Sequence, residues 1–204
     1  MNSKSFWALL APVLFGFLLI CAAAQPPEKP QTDLGAPGEE HKKLDLLAGD
    51  WDVALKIPIG PGKHVEGKSS CEAKWVMDGR FLRQEYSSIF MGKPLTVVRY
   101  LGFDRHKGKF VEVHFESTHT DVMHSEGDIS NDGKTITCRG SHIEAATGKE
   151  VNVRTVTTFG DKDKFTLEMT YNPDSKDSTT ITLRHSRNTE RQNKGSERKA
   201  SQSH

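Results

Sequence analysis

Phe165-Thr166-Leu167-Glu168-Met169-Thr170-Tyr171 shows the pattern that decides the fold, because large apolar side chains alternate strictly with polar ones. A period of two is typical of a β-strand with one buried face and one solvated face. The same alternation occurs along Trp51–Ile57, Val111–Phe115 and Ile181–Leu183. On the Val111–Phe115 strand it predicts that the valines and the phenylalanine are buried and that the polar residues between them face water. The body of the chain is therefore predicted to be all-β.

Short turns rich in Gly or Asp separate the alternating runs, as at Asp104–Gly108, Asn131–Lys134 and Gly160–Asp163. Even spacing and short connections favour an antiparallel up-and-down β-barrel over a sandwich, which usually needs longer crossovers between its sheets. One short helical segment, His41–Ala48, precedes the first strand. About ten strands are predicted, at residues 50–58, 65–77, 80–90, 95–103, 109–117, 122–130, 135–143, 150–159, 164–172 and 178–186.

Residues 1–24 have the pattern of a secretory signal peptide. Lys4 supplies a positive charge, Phe6–Ile20 is an uncharged and mostly apolar run, and Ala22–Ala24 fits a small-residue cleavage site. A membrane anchor is the alternative, but a bilayer span needs about 20 apolar residues. Lipid attachment at Cys21 is a second alternative. We expect a secreted or periplasmic protein that has no integral membrane span after cleavage.

The remaining chain divides into a linker, a domain and a tail. Residues 25–40 are rich in Pro and Gly and are predicted to be a disordered linker, and residues 187–204 a disordered polar tail. The β-barrel domain is predicted over residues 41–186. The chain carries 28 Lys and Arg against 27 Asp and Glu, a net charge of +1, which argues against nucleic-acid binding.

Several motifs occur in a fixed order along the domain. They are His41–Trp51 with its Gly49-x-Trp51, Gly79–Tyr86, Met91–Leu95, Tyr100–Asp104 and Ser125–Gly127. The first resembles the start of lipocalin-like (calycin) barrels, and the ordered set resembles a bacterial family known as domain of unknown function 1579. The resemblance covers residues 41–185. It implies a barrel in which a tryptophan closes one end, and it implies no established activity.

Trp51 is the residue expected to close the barrel. A tryptophan side chain buries about 200 Å² or more, so it is well suited to a core plug. Arg184, on the last predicted strand, is expected to lie near this ring and to stack on it as a cation.

Polar residues on otherwise apolar strand faces are the best sign of a ligand pocket, because small-molecule sites are mostly apolar with a few polar groups. The predicted ligand-binding residues are Gln84, Tyr86, Arg99, Glu126 and His142. The alternative for Arg99 is an exposed cross-strand ion pair with Glu85, which would contribute little to stability.

Nine histidines raise the question of metals and haem. His114 and His124 flank a predicted hairpin and are weak candidates for metal ligands, with nearby glutamates as further ligands. His114 also alternates with Glu112 and Glu116, which indicates a solvated stripe. The barrel resembles in outline the nitrobindin-type haem barrels, so His185 or His142 is a candidate axial ligand for non-covalent haem.

No catalytic motif is present in the sequence. The main hypothesis is a non-catalytic secreted barrel that binds a small, partly apolar ligand in its interior. The alternatives are a cell-envelope enzyme that uses His114, His124 and Glu126, a haem-binding or metal-binding barrel, and an interaction module without a ligand. Cofactor, ligand identity and oligomeric state stay open.

Two cysteines, Cys71 and Cys138, remain after cleavage, on the second and seventh predicted strands. A disulfide needs Cα atoms within about 7 Å. These strands are not neighbours in an up-and-down barrel, so two buried free thiols are predicted.

Overall fold

The computed structural model describes residues 33–144 and 147–191. Two short helical elements come first, the α-helix α1, Glu39–Lys42, and a 3₁₀ helix, Lys43–Leu47. The predicted signal peptide and most of the predicted tail lie outside the described residues. The strands of the described chain are β1 Gly49–Gly60, β2 Lys63–Val76, β3 Phe81–Phe90, β4 Lys93–Asp104, β5 Lys109–Glu116, β6 Met123–Ile129, β7 Thr135–Ile143, β8 Glu150–Phe159, β9 Lys164–Tyr171 and β10 Thr179–Arg187.

Each strand pairs antiparallel with the next one along the chain, and β1 also pairs with β10 to close the ring. This confirms the predicted all-β, up-and-down barrel and excludes the open sandwich. The strand bounds differ from the predicted ones by at most two residues. The helical segment begins at Glu39, two residues earlier than predicted.

One end of the barrel is closed by the 3₁₀ helix and Trp51. Leu44 and Leu47 are fully buried there, and the indole Nε1 of Trp51 donates a hydrogen bond to the Leu47 carbonyl at 3.0 Å. The Trp51 ring packs edge-on against Phe165, with centroids 4.8 Å apart. A buried indole N–H needs such an acceptor, so this hydrogen bond fixes the position of the helix over the barrel end.

The cation that lies over Trp51 is Arg187, and the expectation for Arg184 is wrong. The Arg187 guanidinium carbon is 4.2 Å from the ring centroid, and Arg184 is exposed. Arg187 is the direct cross-strand partner of Trp51, whereas Arg184 lies opposite Ala54 on the outer face. The two arginines are three residues apart, so they point to opposite faces of the strand.

The buried face of β5 is the reverse of the predicted one. Glu112 is almost fully buried, and His114 and Glu116 point into the barrel with it. The apolar residues of the predicted buried face lie on the outer face instead, where Phe115 contacts Tyr100 with ring centroids 6.0 Å apart. Glu112 can be buried inside the barrel because the positive charge of Arg99 also lies there.

Two glycines allow β6 and β7 to approach closely. A Cβ on Gly127 would lie 1.8 Å from the Thr137 carbonyl oxygen, and one on Gly140 would lie 1.9 Å from the His124 carbonyl oxygen. Such glycines in a strand mark a bend or a close backbone contact. They let the wall curve sharply at this corner of the barrel.

The linker predicted to extend to residue 40 is already packed from Asp33 onward. Arg80 donates to the Gly35 carbonyl at 2.9 Å, and Arg105 donates to the Ala36 carbonyl at 3.1 Å. Both arginines come from the closed end, and they provide hydrogen-bond donors for a segment whose largest apolar side chain, Leu34, stays exposed. Among the residues that the structure describes, no helix has the length and apolar character needed to cross a membrane.

Candidate functional site

The barrel interior is filled at the closed end and hollow at the other. The hollow part is a cavity of about 390 Å³ that is open at the end carrying the β1–β2, β3–β4 and β5–β6 connections. Most of its wall is apolar, and the apolar lining residues are Leu55, Ile57, Phe90, Leu95, Val97, Leu167, Met169, Ile181 and Leu183. Its volume lies within the range of small-molecule sites, about 300–1,000 Å³.

The floor of this cavity contains a buried ion pair between Arg99 and Glu112. Both side chains are about 1% exposed, and Arg99 Nε donates to Glu112 Oε2 at 2.8 Å. Arg99 Nη2 donates to the same oxygen, so two charge-assisted hydrogen bonds from the guanidinium converge on Glu112 Oε2. Burial, the largest single influence, lowers the pKa of Arg99, but the Glu112 carboxylate and smaller contributions together outweigh it, and this pKa lies above its ordinary value.

Neighbouring polar groups complete a network around the pair. Gln84 Oε1 accepts from Arg99 Nη1 at 2.9 Å, and Thr157 Oγ1 accepts from Nη2 at 3.2 Å. Thr155 donates its hydroxyl to the other oxygen of Glu112. Of the five guanidinium N–H groups, four therefore have partners, and one on Nη1 remains.

A second buried contact joins Tyr86 to His185. The Tyr86 hydroxyl lies 3.2 Å from His185 Nε2, and the imidazole stacks on Phe165 with centroids 3.7 Å apart. Burial, and next the charge of Arg99, lower the pKa of His185 to about 3, so its ring is neutral. This contact ties the cavity floor to the aromatic cluster around Trp51.

His114 points into the cavity beside Arg99. Burial lowers the pKa of His114, which keeps its imidazole neutral, and its Nδ1 has no hydrogen-bond partner among the described residues. The Nε2 amide group of Gln84 is likewise buried without a partner. Buried polar groups are usually paired, so these atoms are unusual features of the floor.

A second, more polar pocket of about 440 Å³ lies beside the cavity at the rim and shares His119 and Tyr171 with it. There His142 Nδ1 lies 2.8 Å from Asp121 Oδ2, and this contact is the main cause that lowers the pKa of Asp121. The His142 ring lies edge-on to Tyr171 at 6.0 Å. The pair therefore stabilises the loop between β5 and β6 against β7.

The structure brings together three of the five predicted ligand-binding residues. Gln84, Tyr86 and Arg99 lie side by side at the cavity floor. His142 lies at the rim, in the second pocket. Glu126 is misplaced in the prediction, because it is on the outer face of β6 and pairs with Lys107. The alternative partner for Arg99 is also wrong, since Glu85 pairs with Arg83 on the outer face.

The structure separates the residues that were proposed for a metal site or an enzyme site. His114 lies opposite Met123 and points inward, whereas His124 lies opposite Val113 and is exposed on the outer face. His114 therefore shares no site with His124 and Glu126, which lie together on the outer face. Within the two described ranges, no group of three or more His, Cys, Asp or Glu side chains is arranged to hold a metal ion.

The haem alternative also fits poorly. His185 is covered by Phe165, its Nε2 contacts Tyr86, and it is not among the residues that line the open cavity. His142 contacts Asp121 through Nδ1 and lines the polar pocket instead. Neither histidine therefore lines the apolar cavity, which is the space that a haem would need beside its axial ligand.

Glu112 is the site residue that the sequence interpretation missed. The hairpin between β4 and β5 is the sequence feature that could have identified it. If Asp104 pairs with Lys109 across a four-residue turn, Arg99 lies opposite His114. Cross-strand partners point to the same face of a sheet. If Arg99 points inward, His114 must therefore point inward as well. Glu112, two residues earlier on the same strand, then points to the same face.

Fold and cavity together define a small closed antiparallel barrel with one open end and a polar floor. The chain belongs to the family described as "Protein of unknown function (DUF1579)", whose profile matches residues 36–187. No curated protein matches the chain.

Two solved structures are similar to this chain. Rv2717c from M. tuberculosis is 15% identical, with a TM-score of 0.51, over 75% of this chain and 99% of that protein. A redesigned β-barrel is 12% identical, with a TM-score of 0.40, over 72% of this chain and 95% of the design. At these identities the likeness concerns the fold alone.

Proposed function

We propose that the protein binds a small, partly apolar ligand in the open half of the barrel. The observation that carries this proposal is the cavity of about 390 Å³, which has an apolar wall and a floor containing the buried Arg99. Burying the apolar part of a ligand against this wall supplies the affinity, at about 25 cal/mol per Å² of apolar surface. The polar floor orients the ligand.

The floor favours a ligand whose inner end is uncharged and accepts a hydrogen bond. The charge of Arg99 is already balanced by Glu112, and His114 is neutral. Glu116 also lines the cavity and would repel an anion. A carboxylate at the floor would therefore be a second, uncompensated charge in a poorly hydrated place. A carbonyl or hydroxyl oxygen can instead accept the remaining N–H of Arg99.

Thermal shift measurements with a matched series of ligands test this. Medium-chain methyl ketones, alcohols and carboxylates of equal chain length differ only in the group presented to the floor. Ketones or alcohols should raise Tm more than the carboxylates. A ligand at a hundred times its Kd stabilises the folded state by about 2.7 kcal/mol.

Substitution of one wall residue provides the specific control. Val97→Trp fills the cavity and should abolish the ligand-dependent shift, whereas Val98→Trp alters the next residue, which lies on the outer face, and should retain it. If no member of the series raises Tm, or if Val97→Trp responds as the unmodified protein does, the proposal fails.

We further propose that the protein is exported. The uncharged run Phe6–Ile20, followed by Ala22–Ala24, supports cleavage before Gln25. Expression of the full chain in a bacterial host should yield a protein outside the cytoplasm whose intact mass corresponds to a start at Gln25. A full-length mass in the cytoplasm would contradict this.

A further inference from the structure

Two adjacent hairpins at the open end carry exposed apolar side chains at their tips. The β1–β2 tip presents Ile59, which is 62% exposed, and the β3–β4 tip presents Ile89 and Met91, which are 69% and 87% exposed. Phe90 and Val65 are also exposed beside them. Single exposed apolar residues are ordinary on a soluble protein, but a contiguous group marks a contact surface. We call these two hairpins, residues 55–68 and 87–96, the apolar rim.

The charge of the apolar rim has one predominant sign. Lys63 and Lys93 lie next to the two tips, and Lys56 and Lys68 lie further along the outer faces of β1 and β2. The only carboxylate in the two segments is Glu66, which lies 3.7 Å from His64. Among the described residues none of the four lysines takes part in an ion pair.

The opposite half of the open end has a different composition. Its three loops, residues 117–122, 144–149 and 172–178, contain Asp121, Glu144, Asp174 and Asp177 against Lys149 and Lys176. An anionic surface would therefore attract one half of the open end and repel the other. The asymmetry implies a tilted contact through the apolar rim.

We propose that the apolar rim docks on the surface of an anionic lipid bilayer. Apolar tips surrounded by lysines are the combination that interfacial binding requires, because the apolar groups enter the headgroup layer and the lysines contact lipid phosphates. Charge complementarity favours this occupant over a second copy of the chain. A two-fold symmetric dimer through the rim would bring the lysines of both copies into one interface that has few carboxylates to balance them.

The rim also connects to the cavity. Ile57, Phe90 and Leu95 belong to the two hairpins and line the cavity wall. The apolar surface therefore continues from the exposed tips into the barrel, and docking places the entrance at the bilayer. Docking itself does not depend on the proposed ligand, so the two proposals are tested separately.

A pair of methionines makes the test site-specific. Met91 in the β3–β4 turn and Met77 in the β2–β3 turn have the same backbone conformation, with φ of 49° and 51°, and both are exposed. They lie at opposite ends of the barrel. Met91→Cys and Met77→Cys can each carry a polarity-sensitive fluorophore, because the native Cys71 and Cys138 are buried.

The chain for this experiment begins at Gln25, because the apolar run before it would bind vesicles by itself. The barrel closes within Glu39–Arg187, so this chain retains every described element. Vesicles of phosphatidylcholine with and without phosphatidylglycerol are added. The fluorophore at position 91 should shift to the blue with the anionic vesicles, and that at position 77 should not.

Further variants separate the apolar and the electrostatic contributions. Ile89→Ser with Met91→Ser should weaken vesicle binding at least tenfold, whereas Val122→Ser with Ile143→Ser, on the other half of the open end, should not change it. Lys63→Gln with Lys93→Gln should lower the affinity by about fivefold per lysine. Val97→Trp, which fills the cavity, should bind vesicles normally, so loss of ligand binding and loss of docking are distinguishable.

Three outcomes would overturn docking. They are an equal response of the two fluorophores, no response of either to anionic vesicles, and unchanged binding of the Ile89/Met91 variant. A blue shift at position 91 that grows with protein concentration in the absence of vesicles would assign the rim to a second copy instead.

Discussion

At the scale of single residues, the main question is how an arginine can be buried inside a barrel formed by Gly49–Arg187. Arg99 is neutralised by Glu112, and four of its five N–H groups have acceptors, which lie on β3, β5 and β8. Such a pair contributes little net stability compared with apolar residues, because both charges must be desolvated. Replacing only one of the two residues, however, leaves the other charge buried without a partner.

This argument predicts a strongly non-additive mutant cycle. Arg99→Met or Glu112→Leu alone should lower the free energy of unfolding by about 3–5 kcal/mol, and the double variant should lose far less than the sum. Arg83→Met breaks the half-exposed pair with Glu85 and should change stability by about 1 kcal/mol or less. Urea denaturation measures all four. Additive losses in the double variant would show that the pair is not a unit.

The same residues show what sequence alone can and cannot predict about the site. Arg99, Gln84 and Tyr86 interrupt apolar faces, so their inward orientation follows from alternation. Glu112 and His114 were expected on the wet face because β5 alternates between two plausible sets, and Val111, Val113 and Phe115 are the more apolar one. Alternation identifies two faces, but only the counterion required by Arg99 decides which of them is inside.

His185 should make the fold sensitive to acid. Burial, and then the Arg99 charge, hold its pKa at about 3, against 6.5 for an unburied histidine. Below 6.5 the unfolded chain binds a proton that the folded chain excludes. The contribution of His185 to the free energy of unfolding is therefore fully present above pH 6.5. It falls as the pH decreases towards about 3, by about 1.4 kcal/mol per pH unit.

His185→Gln should remove this contribution, so that unfolding free energies of the two proteins converge as the pH is lowered. Urea denaturation over a pH series measures the difference in slope. His124→Gln, at an exposed position, is the matched control for the loss of a histidine. An identical slope in His185→Gln and the unmodified protein would contradict the assignment.

At the scale of elements, the last strand holds the closed end together. Arg187 on β10 donates to the Ala48 carbonyl after the 3₁₀ helix at 3.0 Å and to the Lys162 carbonyl in the β8–β9 turn at 2.9 Å, while its guanidinium covers Trp51. One side chain thus joins the N-terminal segment, a turn and the barrel wall. Closure depends on this contact as well as on strand pairing.

Arg187→Leu should accordingly destabilise the protein by about 2 kcal/mol, because a cation–π contact is lost and the Ala48 and Lys162 carbonyls lose their donor. Arg184→Leu, three residues earlier on the outer face, should change stability by less than about 0.5 kcal/mol. Arg187→Lys should recover little, since an ammonium lacks the planar fork that reaches both carbonyls. Thermal and urea denaturation measure the stability of these three variants. Equal effects of the substitutions to leucine at positions 184 and 187 would contradict the role given to Arg187.

Strand positions were largely predictable, because turns rich in Gly and Asp mark their ends and alternation marks their length. The contact between Arg187 and Trp51 was not predictable, for a specific reason. A strand that ends at Ser186 leaves the next residue in the tail, although the alternation of Leu183 and His185 continues inward to position 187. The contact that extends β10 is tertiary, with Trp51 and the β8–β9 turn, and has no local signature.

At the scale of the whole molecule, ring closure decides the state of the cysteines. Cys71 is on β2 and Cys138 on β7, which are five strands apart in either direction around the ring. Ten strands spaced about 4.8 Å apart form a ring about 15 Å across, well beyond the 7 Å or so that a disulfide allows. Both cysteines are free and buried in the structure, as predicted.

The thiols should therefore stay reduced and unreactive while the barrel is intact, even under oxidising conditions. Burial is the main cause that raises the pKa of each thiol to about 12, so hardly any thiolate forms in mildly alkaline buffer. Ellman's reagent should detect no thiol in the folded chain beginning at Gln25 and two thiols in guanidinium. Met91→Cys should add one rapidly reacting thiol, which shows that the reagent is active. If the folded protein yields a 71–138 bridge after mild oxidation, strands β2 and β7 must come together, and the closed ring cannot be the structure in solution.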